Sequence, residues 1–135
     1  MSPKILVIDD ELGIVQVLAI KLRKAGFEVL TAMDGEEGAD AARTHRPDII
    51  LTDHQMPYVT GTEMCRDLLN DTSTADIPVI ILTARGHSLD DGDRSLANVR
   101  RVLSKPFSPR EVLEIIEEIL TGQTTSAVDA PGGVL

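Results

Sequence analysis

Residues 47–57 have the sequence Pro-Asp-Ile-Ile-Leu-Thr-Asp-His-Gln-Met-Pro. The apolar run Ile49-Ile50-Leu51 is typical of a strand that is buried on both faces of a parallel sheet. The strand is predicted to end at Asp53, because Pro57 and then Gly61 turn the chain into a loop. Asp53 is therefore expected at the carboxyl end of a strand, which is where open α/β sheets place their functional groups.

The composition narrows the class of protein. The chain has 135 residues, of which 42% are hydrophobic and 26% charged, and these values predict one globular domain. A formal net charge of -9 argues against nucleic-acid contact by this domain, because phosphate binding requires a basic surface. Aromatic residues make up 2% and Trp is absent, which leaves few platforms for stacking bases or a flavin ring.

Cellular location is predicted from cysteine usage and hydropathy. Cys65 is the single cysteine, which excludes an internal disulfide and favours a reducing cytoplasm. No apolar run approaches ~20 residues and no signal peptide opens the chain, so neither a membrane span nor an export signal is expected.

Outward from the central strand, apolar runs and helical periodicities alternate along the chain. This βαβαβαβαβα order predicts an α/β fold with a parallel sheet covered on both faces, a flavodoxin-like doubly wound (βα)5 three-layer sandwich with strand order 2-1-3-4-5. Residues 1–120 are predicted to form the domain, and residues 121–135 a disordered tail or the start of a linker. The predicted strands cover residues 4–8, 27–32, 49–53, 78–83 and 101–103, and the predicted helices 11–25, 34–45, 61–70, part of 85–98, and 108–120.

Several single residues have local interpretations. Asp34 is predicted to cap the second helix with Glu37 reaching back three positions, and Asn98 to be the left-handed cap of a short, loosely held fourth helix. Cys65 is expected to be a small packing residue rather than a reactive thiol. Val17 and Ile20 lie outside the buried stripe of the first helix, which makes its outer side a candidate partner surface.

Four of the five predicted strands end in a residue that carries chemistry. For the strand order 2-1-3-4-5, these strands are neighbours and their ends converge in one shallow site. Clustered carboxylates repel one another unless a cation is present, and oxygen ligands without His or Cys suit Mg²⁺. A lysine opposite them suits a bound phosphoryl group, to which a threonine can donate a hydrogen bond. The residues are Asp9 and Asp10, Asp53, Thr83 and Lys105.

Each of these residues alone has an ordinary explanation. An acidic residue after a strand is usually a helix cap or a turn residue, and a lone lysine is usually a solvated side chain. Complementary functional groups at all four strand ends favour one shared functional site over separate explanations for each residue.

Four sequence segments surround these strand-end residues: ILVIDDE at 5–11, DHQMP at 53–57 with Gly61, PVIILTA at 78–84 and KPF at 105–107. Together they resemble the receiver domain of bacterial two-component response regulators over about residues 4–120. Any one segment is a weak signal, but the ordered set is specific, with 43 residues from Asp10 to Asp53, 30 more to Thr83 and 22 more to Lys105.

The resemblance implies that Asp53 is the phospho-acceptor, whose carboxylate attacks the phosphorus of a phosphohistidine on a sensor histidine kinase or phosphotransfer protein. It implies that Asp10 binds Mg²⁺ directly and Asp9 mainly through water, with Asp53 and the backbone carbonyl of Gln55 as further ligands.

The resemblance also assigns roles away from the acidic residues. Lys105 is implied to pair with a phosphate oxygen, and the peptide bond before Pro106 to be cis. Thr83 is implied to move toward the phosphate and to shift the face built from the fourth helix, fifth strand and fifth helix, through which a homodimer is one expected arrangement.

Two departures from the family pattern affect switching and partners. The family usually has Tyr or Phe three residues before the lysine, and here Val102 takes that place, so a switch by aromatic rotation is not available. Arg100 and Arg101 add positive charge to the output face, where they are either solvated or in contact with an acidic partner. His54 is expected to be structural rather than a second phosphate carrier.

Competing functions remain open. The first is a phosphorylation-controlled receiver, which catalyses only its own phosphorylation and dephosphorylation and is not a turnover enzyme. The second is a phosphorylation-independent receiver that acts as a protein-interaction module, favoured by Val102 and the irregular stretch 85–98. A magnesium-dependent phosphatase lacks a second acid/base residue in the motif, and a flavin site lacks a phosphate-cradling run after the first strand.

Overall fold

The structure is a computed structural model that describes residues 2–84 and 89–122. Within these residues, five parallel strands pair in the order β2-β1-β3-β4-β5, which confirms the predicted flavodoxin-like fold. The elements are β1 (Lys4–Ile8), α1 (Leu12–Lys24), β2 (Glu28–Ala32), α2 (Gly35–His45), β3 (Ile49–Asp53), α3 (Gly61–Leu69), β4 (Val79–Thr83), α4 (Asp91–Arg94), β5 (Val99–Ser104) and α5 (Pro109–Thr121).

The sheet is the middle of three layers. Because successive strand residues point to opposite faces, Ile5 and Val7 of β1 pack with α1 and α5, whereas Leu6 and Ile8 pack with α2 and α3. Every residue of β3 is buried, as its apolar run predicts. The acidic end of β3 is thus held by a rigid central strand.

Side-chain caps define the starts of several helices. The Asp34 carboxylate accepts a hydrogen bond from Glu37 N at 2.8 Å, as predicted, but Glu37 Oε1 accepts from Met33 N rather than from Asp34 N. Thr60 and Glu63 form a full capping box at α3, which the sequence analysis did not identify. These caps satisfy backbone N–H groups that lack partners within the helix.

The outer side of α1 is exposed, as predicted. Val17 and Ile20 are each 55% exposed, whereas Val15, Leu18 and Leu22 are buried against the sheet. The part of the chain in 2–84 and 89–122 has no helix that is both long and apolar enough to cross a membrane.

The prediction for Asn98 is wrong. Asn98 is not among the residues with positive φ, and its buried side chain donates from Nδ2 to Cys65 O at 3.0 Å. The fourth helix is a single turn that Asp90 caps, and residues 85–88 of the predicted stretch lie outside the described residues. Cys65 is buried, and burial raises the pKa of its thiol to about 12, in agreement with a packing role.

The last helix begins as predicted. Ser108 Oγ accepts a hydrogen bond from Glu111 N at 3.0 Å, and Pro109 is the first helical residue. The helix ends at Thr121, with Gly122 in the left-handed conformation at φ 76°. The predicted tail lies outside the described residues from position 123 onward.

Candidate functional site

The site lies where the strands end at one edge of the sheet. β1 leads directly into Asp9 and Asp10, and β3 ends with Asp53. On the other side of β3, β4 ends at Thr83 and β5 leads into Lys105. The parallel sheet therefore brings the predicted strand-end residues to the same edge, as expected from right-handed crossovers.

Three carboxyl groups form a cluster at this edge. Asp9, Asp10 and Asp53 each have a carboxylate oxygen within 4.8 Å of the others. Asp9 is 0% and Asp53 3% exposed, whereas Asp10 is exposed to solvent. Asp9 Oδ2 is buried and has no hydrogen-bond partner among the described residues. A buried carboxylate oxygen that lacks a hydrogen-bond partner is suited to coordinate a hard divalent cation.

Lys105 is the counter-charge of the cluster. Its ammonium nitrogen lies 3.3 Å from Asp53 Oδ1, 3.1 Å from Glu11 Oε1 and 4.0 Å from Asp9 Oδ2. The peptide bond between Lys105 and Pro106 is cis, as the family resemblance implies. Lys105 thus places an ammonium group directly against the Asp53 carboxylate at the end of β3.

Burial and charge change the protonation of these groups. Burial raises the pKa of Asp9 to about 6, and the nearby Asp53 carboxylate adds to this, while the hydrogen bond from Glu11 N opposes it. Burial also raises the pKa of Asp53, and Lys105 offsets part of that rise. Burial lowers the pKa of Lys105, but its hydrogen bond with Glu11 and the charges of Asp53 and Asp9 together raise it above the ordinary value.

The Thr83 hydroxyl is directed toward β5. Thr83 Oγ1 donates to Leu103 O at 3.4 Å and lies 3.5 Å from Ser104 Oγ. The backbone of the same residue accepts a hydrogen bond from Lys105 N at 2.8 Å. In this structure Thr83 thus links β4 to β5, and its contact with a bound anion stays a prediction.

The loop after Asp53 is held close to the strand end. His54 N donates to Leu82 O at 2.8 Å, and Gly61 N donates to His54 O at 2.9 Å. Gln55 is exposed in this loop, and the ligand role of its carbonyl stays a prediction. Gly61 approaches so closely that an added Cβ would lie 2.7 Å from Asp53 O.

Glu11 is a member of the site that the sequence motifs did not predict. Glu11 was not singled out, yet its carboxylate contacts Lys105. The signal was its place directly after Asp10, although a loop residue has no periodicity that fixes the direction of its side chain.

Five parallel strands in this order, with an acidic cluster and a lysine at the carboxyl edge, define a receiver-type α/β signalling domain. The family model of the response regulator receiver domain matches residues 5–117. The chain therefore belongs to the response regulator receiver domain family of two-component signalling, as its sequence motifs predicted. Receiver domains of response regulators interact with histidine kinases.

Individual relatives agree with this assignment. The chain is 38% identical over 120 residues to the alkaline phosphatase synthesis transcriptional regulatory protein PhoP of Bacillus subtilis, a match that covers 89% of this chain and 49% of the relative. It is 34% identical to the phosphate regulon transcriptional regulatory protein PhoB of Pseudomonas aeruginosa, over 97% of this chain and 58% of the relative. The chain thus spans about half the length of these curated relatives.

A solved structure shows the same fold. The chemotaxis response regulator CheY4 of Vibrio cholerae superimposes with a TM-score of 0.81 at 30% sequence identity. The match covers 89% of this chain and 100% of that one.

Proposed function

We propose that the chain accepts a phosphoryl group on Asp53 and that this modification changes the surface near β5. The observation that supports this is the Lys105 ammonium nitrogen 3.3 Å from Asp53 Oδ1, at an edge that also holds Asp9 and Asp10. The donor is a phosphohistidine on a sensor histidine kinase or a phosphotransfer protein.

The proposed reaction is a single phosphoryl transfer. A carboxylate oxygen of Asp53 attacks the phosphorus in line, the phosphorus–nitrogen bond of the phosphohistidine breaks, and the imidazole leaves with the electron pair. Lys105 moves from the Asp53 carboxylate to a phosphoryl oxygen, where its charge offsets the negative charge of the transferred group. The product is an aspartyl phosphate.

The acidic cluster is proposed to hold Mg²⁺. Asp9, Asp10 and Asp53 supply carboxylate oxygens, and the carbonyl of Gln55 completes the protein ligands. The buried Asp9 Oδ2, which has no hydrogen-bond partner in the described part of the chain, supports this assignment. When bound, magnesium neutralises charge on the phosphoryl oxygens.

The chain is proposed to act on itself and not to turn over an external substrate. Asp53 is both the nucleophile and the place where the phosphoryl group stays until water removes it. Each transfer therefore modifies one chain, which is the behaviour of a signalling switch.

The output is proposed to pass through Thr83 to the face formed by α4, β5 and α5, with a second copy of the chain as one partner. Arg101 on this face pairs with Glu118 of α5 at 2.9 Å, so its charge is partly balanced within the chain. PhoP and PhoB are transcriptional regulatory proteins and CheY4 is a chemotaxis regulator, so these relatives do not select one output.

The test is incubation with acetyl phosphate and Mg²⁺ followed by intact mass measurement. The chain should gain about 80 Da, the mass of one HPO₃. The variant Asp53→Asn should show no gain, whereas Asp67→Asn, which changes an exposed aspartate on α3, should behave like the parent. A parent chain that gains no mass from any donor would defeat the proposal.

A second candidate function is a phosphorylation-independent interaction module. Two features favour it: α4 is a single turn, and Val102 is aliphatic. Both leave fewer structural groups that could transmit a conformational change from Asp53. Amide hydrogen exchange with and without beryllofluoride, which imitates the phosphoryl group, separates the candidates. A clear change in exchange would rule the second candidate out.

A further inference from the structure

Glu11 contacts the one lysine of the site from the solvent side. Its Oε1 lies 3.1 Å from the Lys105 ammonium, slightly closer than Asp53 Oδ1 at 3.3 Å. The Glu11 side chain is 61% exposed, whereas that of Asp53 is 5% exposed. Lys105 is therefore shared between the buried carboxylate of Asp53 and the exposed carboxylate of Glu11, which lies at the solvent-facing rim of the site.

In the described part of the chain, the Glu11 side chain does not help to form the start of α1. Glu11 is the N-cap residue of α1, but its side chain makes no capping hydrogen bond. Its backbone N–H is satisfied by Asp9 Oδ1 at 2.9 Å, and its carbonyl accepts from Ile14 N and Val15 N. Replacing the carboxylate by an amide of equal size therefore leaves the start of α1 intact.

The rim is rich in negative charge. Among the described residues, carboxylate oxygens of Asp9, Glu11 and Asp53 lie within 4.0 Å of the Lys105 ammonium nitrogen. Asp10 adds a fourth carboxyl group beside Asp9 and Asp53. The three aspartates are the proposed nucleophile and metal ligands, whereas Glu11 is outside that set. The charge of Glu11 faces the approaching phosphoryl donor. Its contact with Lys105 also occupies one of the N–H groups of the ammonium, which is then not available to the phosphoryl group.

Glu11 also borders an apolar groove beside the site. Together with Lys105 it lines a groove of about 500 Å³ between α1 and the start of α5. Apolar groups line the rest of the groove, including Ile14, Val17 and Phe107. A small, highly charged anion that reaches Lys105 from this side gains nothing from the apolar walls and meets the Glu11 charge.

We infer that Glu11 is a specificity-determining residue that disfavours free, highly charged phosphoryl donors, an inference that rests on the proposed phosphorylation of Asp53. In the reaction with acetyl phosphate, Asp53 Oδ forms the new bond to phosphorus, the phosphorus–oxygen bond to the acetyl group breaks, and acetate leaves with the electron pair. During this step Lys105 must release Glu11 to pair with the phosphoryl group. Glu11 opposes the step both by holding Lys105 and by repelling the donor.

The experiment compares two small donors at saturating Mg²⁺ and low ionic strength. Acetyl phosphate is the more highly charged, and phosphoramidate carries less negative charge near neutral pH. Glu11→Gln should accelerate the gain of mass from acetyl phosphate about threefold, the size expected for an exposed ion pair, and should change the rate with phosphoramidate less. In about 0.5 M salt the difference between the variant and the parent should shrink, because solvent-exposed charges are screened.

The matched control is Glu114→Gln. Glu114 has a side-chain exposure of 63% and pairs at 3.8 Å with Arg110 instead of Lys105, so its removal should leave both rates unchanged. A readout without phosphoryl transfer is the solvent exchange of the Lys105 ammonium protons, followed by nitrogen NMR in the metal-free chain. This exchange should be faster in Glu11→Gln than in the parent or in the control.

The outcomes separate the two proposals. If the parent is phosphorylated but Glu11→Gln matches Glu114→Gln, or accelerates both donors equally, the role of Glu11 is wrong and the proposed function stands. If neither donor phosphorylates the parent, the proposed function fails and the role of Glu11 fails with it.

Discussion

Among single residues, Gly61 sets the distance between α3 and the end of β3, where Asp53 lies. An added Cβ would lie 2.7 Å from Asp53 O and 3.1 Å from the Cα of His54. Both are backbone atoms, so the end of β3 or the start of α3 must shift to admit a methyl group. We expect Gly61→Ala to lower the free energy of unfolding by about 1–3 kcal/mol and to slow phosphorylation of Asp53.

Gly13→Ala is the matched control for this prediction. Gly13 lies in α1, and apart from the adjacent backbone of its own helix, no described atom lies within 4 Å of an added Cβ. Alanine has the higher helix propensity, so this variant should gain up to about 1 kcal/mol in urea unfolding and keep its phosphorylation rate. Equal stability of the two variants would contradict the argument from close approach.

Asp9 makes the stability of the metal-free domain depend on pH. Burial raises the pKa of folded Asp9 to about 6 from the ordinary 3.8, so the folded state holds a proton that the unfolded state has released between these values. Stability therefore falls as the pH rises from about 4 to about 6, and stays lowered above that range. Asp9→Asn should raise the free energy of unfolding by about 1–2 kcal/mol near pH 7.5 in EDTA, and change it little near pH 4.

Urea unfolding at both pH values measures this effect. Asparagine can keep the Oδ1 acceptor that receives Glu11 N, so the substitution removes the charge and little else. Asp67→Asn, on the surface of α3, should show no difference between the two pH values. Adding Mg²⁺ at the higher pH should stabilise the parent more than Asp9→Asn, and equal stabilisation would speak against Asp9 as a ligand.

Among the secondary-structure elements, β5 shows where sequence patterns fail. The strand begins at Val99, two residues before the predicted start at Arg101. A bulge separates the pairs Val79↔Val99 and Ile80↔Arg101. Arg100 is the extra residue, so the alternation that would have marked the strand is broken there. The predicted strand therefore covered only residues 101–103.

In the candidate site, residue positions that the backbone determines were predictable from the sequence, whereas side-chain directions were not. The convergence of Asp9, Asp10, Asp53 and Lys105 was predictable, because strand order alone carries the strand ends to one edge. The direction of the Thr83 hydroxyl and the Glu11 contact were not, since both depend on side-chain rotamers that no periodicity specifies.

Asn98 ties α3 to the start of β5, and this tie can be tested. Its Nδ2 donates to Cys65 O at 3.0 Å in a buried setting, so Asn98→Ala should lower the free energy of unfolding by about 1–2 kcal/mol. Asn98→Asp should lower it more, because it removes the donor and buries a carboxylate. Asn70→Ala, which truncates an exposed asparagine after α3, is the control in the same urea titration. An Asn98→Ala variant as stable as this control would refute the structural role of Asn98.

For the whole molecule, the proposed signalling role requires a connection between the Asp53 site and the opposite side of β5. Thr83 is completely buried, and its hydroxyl is bonded to Leu103 O and lies near Ser104 Oγ. If this hydroxyl turns to a phosphoryl oxygen, the contact with β5 is lost. With Val102 in place of an aromatic residue, we propose this exchange of partners as the route from Asp53 to the face formed by α4, β5 and α5.

Two substitutions at Thr83 separate binding at the site from transmission. Thr83→Val keeps the size but has no hydroxyl, whereas Thr83→Ser keeps the hydroxyl. We expect beryllofluoride to change amide hydrogen exchange in α4 and β5 of the parent and of Thr83→Ser, but to leave these amides nearly unchanged in Thr83→Val. Both variants should still gain mass from acetyl phosphate, because Asp53 and Lys105 are intact. The same exchange response in Thr83→Val would mean that the change reaches β5 without this hydroxyl, for example through the backbone bond from Lys105 N to Thr83 O.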